Sequence, residues 1–466
     1  MVKILFIFFN FFAVPDSLVT AQQDSTLKVV REVVIEGNVR TNASIINREL
    51  PFEIGDTLQN FSIPGVLARC QSNVFNTNLF ITVAVTATEV FENEIVVTIT
   101  VKERWYVLVL PVVFLSDRSF NEWWYERNRD LRRLTYGVQA RHFNLTGKAD
   151  QLALRVYGGF VPYFEASYSR PYIDKKQRMG VSTGVFYSTQ RTVAFRTQED
   201  KLQFLNTDEQ VRRRWGGYFQ YTFRNNLYHT HALYAGYNNT TVADTIIGLN
   251  PNYFSSEGRN QRYTQLSYTY RFDKRDNYQY ALDGHLLAAG ITKFGIGKNS
   301  DVNQLNLAAT YTRFFPIIKK LYGDVSMTGK VSLPKLQPYT LTAGLGFRNA
   351  LVRGYELYVI DGQDYGLLRS NLKYQFMNRT FDLSRFVKVK QFSTLPVAAY
   401  FTTYLDAGYV RNSFPEFSST FLGNRRLIGG GIGLDIVTWY DTIGRLNYSV
   451  NQLGEKMFFF SVVRNL

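Results

Sequence analysis

The sequence predicts a mainly β protein: a transmembrane antiparallel β-barrel of about sixteen strands, preceded by one small α/β domain. Two observations carry this. From about Val107 onward, apolar and polar residues alternate in short segments. Leu152, Leu154 and Val156 oppose Gln151 and Arg155, and Phe219, Tyr221 and Phe223 oppose Gln220 and Thr222. Leu266, Tyr268 and Tyr270 oppose Gln265, Ser267 and Thr269, and Leu446, Tyr448 and Val450 oppose Arg445, Asn447 and Ser449. The second observation is composition: 16% aromatic with a mean hydropathy of −0.17, too polar for a helical membrane protein and too aromatic for an ordinary soluble enzyme. Strands with one face to lipid and one to water give that near-neutral mean, and Tyr and Phe collect at the interfaces. A soluble β-sandwich has the same period, but an N-terminal export signal and the aromatic excess weigh against it.

Residues 1–21 carry that signal: Lys3, an apolar run from Ile4 to Phe12, and Val19-Thr20-Ala21 as a small-residue cleavage site before Gln22. No Cys follows the cleavage point, so no lipoprotein anchor is expected, and no later run reaches the ~18 apolar residues of a spanning helix. The single Cys70 is expected to be a small buried hydrophobe.

Residues 28–104 form the predicted α/β domain. A strand holds Val29 to Ile35 and ends at Gly37-Asn38. Thr41 or Asn42 caps a short helix over Ser44 to Leu50, which Pro51 and Gly55 close. A second helix covers Ile63 to Phe75, and strands follow over Phe80 to Thr88 and Glu94 to Glu103. The expected order is βααββ. Residues 105–466 are left for the barrel, and at about 22 residues per strand with its share of turn and loop they give about sixteen strands. An even number returns both ends to one side. The first strand, near Tyr106 to Phe114 with Val109, then meets the last, near Met457 to Val463, whose Phe458, Phe460 and Val462 face lipid. The long connections Val242 to Gln261 and Pro334 to Asp364 fall outside the cell.

A net charge of +15 raises nucleic acid as a partner. The basic residues are spread along strands and loops, so lumen-facing and headgroup-facing positions account for them without nucleic acid. No Gly-x-Ser-x-Gly elbow is present, Gly295-Ile296-Gly297-Lys298 lacks the leading Gly of a phosphate loop, and Gly429 to Gly433 lacks dinucleotide-binding spacing. His229 and His231 share a strand face without a carboxylate cluster. No catalytic residue, cofactor or metal is predicted.

One pair of segments stands apart: Leu351-Val352-Arg353-Gly354-Tyr355 in a long loop, and Tyr404-Leu405-Asp406-Ala407-Gly408 in a strand. Alone, Arg353 reads as a solvated loop cation and Asp406 as a turn residue. Asp406 shares the parity of Tyr404 and Thr402, opposite Phe401 and Leu405, so it points inward and can hold a guanidinium bidentately. Together the segments resemble the VRG[FY] loop and [FY]xDxG strand motifs of the BamA/TamA-like family of outer-membrane assembly and translocation proteins. Asn144-Leu145-Thr146-Gly147, Ser169-Arg170-Pro171-Tyr172, Asp273-Lys274-Arg275-Asp276 with Gly284, and Gly429 to Asp435 are similar to further segments of that family, in order. The βααββ unit, with Gly37-Asn38, Arg48-Glu49-Leu50, Gly55-Asp56 and Asn78-Leu79-Phe80 at its turning points, resembles one polypeptide-transport-associated (POTRA) domain. Arg104-Trp105-Tyr106 through Asn121-Glu122-Trp123-Trp124 resembles Bacteroidetes-type members.

The resemblance implies a bacterial outer-membrane protein whose POTRA domain is in the periplasm. It inserts or translocates client polypeptides through POTRA docking and a laterally opening barrel, with Arg353, Gly354, Tyr355 and Asp406 pinning a loop in the lumen. Its implied partners are outer-membrane lipids, unfolded outer-membrane or exported clients, and accessory periplasmic or lipoprotein subunits. Glycines 429 to 433 weaken the wall and ease opening in this reading. Two alternatives are a two-partner-secretion transporter of one exported protein and a passive porin or surface antigen. The chain departs from the family at Arg369, Asn371 and Lys373, where related barrels carry a second carboxylate for the loop arginine, and at its terminal Leu466 in place of an aromatic.

Overall fold

The structure, a computed structural model, describes residues 26–115, 122–256, 258–297, 300–347, 350–385, 393–415, 420–438 and 442–464. The predicted export signal, Asn465 and Leu466 lie outside them.

The N-terminal domain runs β1 (Leu27–Glu36), α1 (Ala43–Asn47), β2 (Thr57–Gln59), α2 (Ile63–Phe75), β3 (Phe80–Phe91) and β4 (Glu94–Glu103). Its sheet has the order β2-β1-β4-β3, with β1 and β4 parallel. The expected order lacked β2, because three residues are too few to show a period; β2 exists by pairing with the start of β1, Leu27 opposite Gln59. Asn42 is the cap of α1, its side chain accepting the Ser44 N–H at 3.0 Å. The helices bury Ile45, Ile46, Cys70 and Val74 against Val30, Val97 and Ile99 of the sheet. Burial pushes the Cys70 thiol up to about 12, so it packs as the expected hydrophobe.

The rest of the chain is almost all strand. In order come β5 (Val107–Leu115), β6 (Leu134–His142), β7 (Gln151–Gly159), β8 (Tyr163–Arg170), β9 (Met179–Gln190), β10 (Thr192–Gln198), β11 (Lys201–Asn206), β12 (Arg212–Arg224) and β13 (His229–Val242). After α3 (Asp244–Leu249) follow β14 (Asn260–Asp273), β15 (Gly284–Phe294), β16 (Gln304–Ile318) and β17 (Leu321–Leu333). The chain closes with β18 (Ala343–Leu345), β19 (Ile360–Asp361), β20 (Asp364–Asp382), β21 (Thr394–Arg411), β22 (Arg426–Thr438), β23 (Thr442–Asn451) and β24 (Lys456–Arg464).

Sixteen of these strands form one antiparallel sheet in chain order, the predicted number, while β10–β11 and β18–β19 stand out of it as separate pairs. The wall obeys the alternation seen in the sequence. Leu154, Phe219, Leu266, Phe401, Leu446 and Phe458 are exposed on the outer face, whereas Thr402, Tyr404, Asp406 and Ser449 are buried inside. This is what a lipid solvent selects, since a spanning sheet leaves its apolar side chains outward and its backbone groups paired along the wall.

Segments reach into both ends of the barrel. At the rim far from the N-terminal domain, hairpin β10–β11 crosses the opening. The Asp200 carboxylate at its tip accepts N–H groups of Phe421 (2.8 Å) and Leu422 (2.9 Å) and the Thr420 hydroxyl, and its carbonyl accepts the Val359 N–H at 2.7 Å. At the near rim, turn 274–283 folds into the lumen. Tyr280 packs on Tyr400 of β21 at 4.7 Å and donates to Asp435 Oδ2 of β22 at 3.0 Å, and Lys373 reaches the Ala281 carbonyl at 3.4 Å.

A charge on the outer face is expected to weaken the barrel most near mid-strand. Phe401→Arg should cost about 2–4 kcal/mol of folding free energy in bilayers, measured by denaturant titration in liposomes; an unchanged midpoint would mean that this face does not meet lipid.

Candidate functional site

The connection between β18 and β19 turns back into the barrel, and Arg353 is its tip. The guanidinium makes a two-armed contact with Asp406 on β21, Nε to Oδ2 at 2.8 Å and Nη2 to Oδ1 at 2.5 Å, while the Arg353 backbone N–H donates to Oδ2 at 3.0 Å. Its plane lies over the Tyr404 ring, 3.9 Å from the centroid. The remaining arm, Nη1, finds the Asn371 side-chain oxygen at 2.6 Å. Asn371 in turn donates to Asp324 at 2.7 Å, directly opposite on β17, and Asp324 pairs with Lys373 at 2.8 Å. The third partner of the guanidinium is thus a neutral amide backed by a carboxylate. Asp406 is fully buried, so its charge depends on this set of donors.

The loop backbone needs bare wall to come this close. A Cβ at Gly429 would fall 1.9 Å from the Arg353 carbonyl oxygen, and one at Gly408 would fall 2.5 Å from a Val352 methyl. The late-strand glycines therefore have a packing reason, separate from the weakening of the wall inferred for them. Gly354 takes φ +95°, a conformation that favours glycine, and its N–H donates to Glu356 at 2.7 Å. Tyr355 is buried beside Val352 and Leu427. The loop also grips the last hairpin: Asn451 donates to the Gly354 carbonyl at 2.7 Å, and the Tyr358 hydroxyl donates to Glu455 at 2.6 Å. Asn451 and Glu455 were not singled out in the sequence, and Asn371 was noted there only as a departure from the family pattern. For Asn371 its inward parity was the available signal.

The sheet has two ends. Its terminal strands are β5 and β24, and among the described residues no register joins them. Val109, Phe458 and Phe460 lie on these strands with their side chains exposed outward. Pro111 sits in the middle of β5, a position that an edge strand tolerates because proline brings no N–H to a second neighbour.

Residues 144–446 match the family described as Omp85 superfamily domain, and residues 28–104 match POTRA, described as surface antigen variable number repeat. The chain belongs to the Omp85 superfamily. No curated protein matches the sequence. Among solved structures the fold is similar to BamA from Haemophilus ducreyi lacking POTRA domains 1-3, at 15% identity and a TM-score of 0.53 over 94% of this chain and 84% of that one. It is also similar to CdiB from Escherichia coli, at 15% identity and a TM-score of 0.52 over 93% and 75%. This Omp85 barrel is a bacterial outer-membrane protein with its POTRA domain in the periplasm, and the near rim is accordingly the periplasmic one.

Three of the sequence motifs gather there, as a cuff around the POTRA domain. Asn144 is buried and donates to Thr41 at 3.1 Å, and the Gly147 carbonyl, at a positive-φ turn, accepts the Asn42 N–H at 3.0 Å. Pro171 leads into Tyr172, whose hydroxyl meets Glu49 at 3.2 Å. Arg275 holds Asp273 through two arms of 2.7 Å, and Asp276 shapes turn 274–283 by accepting the Leu282 N–H at 3.0 Å. Asn76, after α2, clasps that turn, donating to the Asp276 carbonyl and accepting the Tyr278 N–H. At the centre of the cuff is a pair that sequence reasoning did not find: Glu49, buried at the end of α1, takes both arms of Arg224 from β12 at 2.6 and 2.7 Å.

Arg353→Ala and Asp406→Ala are each expected to loosen the loop, at a cost approaching the about 3–5 kcal/mol of a broken buried pair, with the double variant little worse than either. Protease susceptibility of the loop and a double-mutant stability cycle measure this; additive losses would show the two residues to be independent. Gly429→Val should release the same loop with both charges intact, because the Arg353 carbonyl then has no room.

Proposed function

We propose that this protein inserts or translocates client polypeptides at the outer membrane, receiving them at its POTRA domain and handing them to a barrel that opens between β5 and β24. The observation that carries this reading is the unjoined pair of strand edges. An unpaired edge presents backbone N–H and C=O groups that have no partner in hydrocarbon, and an incoming client strand supplies partners in the form of a ladder.

The inner faces of the two strands support the same reading. Where β7 and β12 turn Arg155 and Gln220 inward, β5 turns Leu108, Leu110 and Val112, and β24 turns Met457 and Phe459. Both flanks of the seam are therefore apolar on the lumen side as well, a surface suited to an amphipathic β-segment passing between water and lipid. POTRA edge strand β3, twelve residues long, offers a second place where an extended client can add to a sheet. The Arg353 loop, gripping β21 by Asp406 and the last hairpin by Asn451 and Glu455, holds the wall beside the seam in one conformation. A passive porin fits less well, since hairpin β10–β11 and turn 274–283 both reach into the lumen ends.

A disulfide across the seam tests the mechanism. In a Cys70→Ala background, cysteine pairs between β5 and β24, scanned for register, should stop client insertion into liposomes while the barrel keeps its heat-modifiable mobility. Reduction should restore activity. A locked protein that inserts clients at the normal rate would remove lateral opening as the mechanism.

A further inference from the structure

We propose that the outer wall of β13–β17, on the side of the barrel away from the seam, binds one glycerophospholipid of the periplasmic leaflet, its phosphate at Arg313 and an acyl chain in an adjoining groove. The groove, about 560 Å³, is a notch in the lipid-facing surface. Its floor is a row of small outward residues in register across three strands: Ala289 of β15 faces Ala309 of β16, which faces Gly329 of β17. One wall is the next outward row, Ile291, Leu307 and Val331, all exposed. Larger side chains stand where the row continues into β14, at Tyr270, so the notch is bounded by shape rather than by sequence distance.

Charge supplies the second half of the argument. Arg313 lies on the outer face of β16, four residues toward the periplasmic rim from Ala309, or about 13 Å along a strand. Its Nη1 donates to His285 Nδ1 at 2.8 Å and to the Gly284 carbonyl at 3.3 Å. No described carboxylate pairs with Arg313, a guanidinium on the lipid side of the wall whose partners are the His285 ring and a backbone carbonyl. At headgroup depth the anion that meets it is a lipid phosphate. Alongside, His229 and His231 of β13 bond the hydroxyls of Tyr270 and Tyr268 at 2.7 and 2.8 Å, which makes this stretch of the wall polar at the same rim. A second lipid-facing groove of about 550 Å³, near the seam, is lined by Leu321, Leu372, Phe401 and Phe458 with no charged residue, and nothing there selects a headgroup.

Native mass spectrometry of the purified full chain in detergent, titrated with dioleoylphosphatidylglycerol, tests the site. The wild type should take up one lipid well before any others. Arg313→Gln and Gly329→Leu should each raise the half-saturating concentration at least tenfold, and Arg313→Lys should recover most of the loss. Gly329 suits this test because a Cβ there meets only the Tyr365 carbonyl, at 3.7 Å, so the leucine fills the groove without disturbing the fold. Val185→Phe, on the outer face of β9, should bind like the wild type, and dioleoylglycerol, which lacks the phosphate, should bind at least tenfold more weakly. Equal half-saturation across all variants would mean unspecific annular lipid and overturn the proposal, as would equal binding of dioleoylglycerol.

Discussion

The contact on which the site depends is the one between Arg353 and Asp406. A carboxylate with no exposed surface is stable in the wall of a membrane barrel only if donors saturate it, and three donors come from one residue of one loop. That requirement fixes much else. The loop must enter the lumen, so the inward positions it passes must be glycine at 408 and 429. The second arm of the guanidinium needs an acceptor on β20, and the Asn371 side-chain oxygen supplies it, with Asp324 behind it.

A continuous set of contacts runs from the POTRA domain to the same wall. Asn76 clasps turn 274–283, Tyr280 at the tip of that turn reaches Tyr400 and Asp435, and Asp435 and Arg445 lie on β22 and β23, next to the last strand. The Arg353 loop approaches those strands from the extracellular side through Gly429 and Asn451. The wall next to the seam is thus held from above and below, while among the described residues β5 and β24 pair with the sheet on one side only.

What was legible in the sequence was what is local. Alternation has a period of two, so inward and outward residues, including Asp406, followed from parity within a single strand. Strand number followed from length. What depended on neighbours distant in sequence was not legible. Glu49 and Arg224 are 175 residues apart and meet only because α1 docks on the turn after β12. Turn 274–283 reads as a polar turn with two tyrosines, and nothing within it says that Tyr280 finds its partners on β21 and β22. Asn371 was recognised as a departure from the family pattern, but its role required knowing that Asp324 stands directly opposite.

An open edge in lipid is expensive, and the dimensions of the wall bear on how this one persists. Strands β20 and β21 have nineteen and eighteen residues, while β5, β6, β7 and β24 have nine each and β8 has eight. At about 3.3 Å per residue and a tilt near 40°, nine residues rise only about 23 Å, slightly less than the ~25 Å apolar band of an outer-membrane barrel. The wall is therefore shortest on both flanks of the seam. A short strand exposes few backbone groups, and Pro111 removes one more donor from β5. Thinner bilayer is drawn in where the wall is low, which brings water and headgroups nearer to the edge groups that remain. Length, proline and local bilayer thickness all reduce the number of polar groups that such an edge leaves facing hydrocarbon.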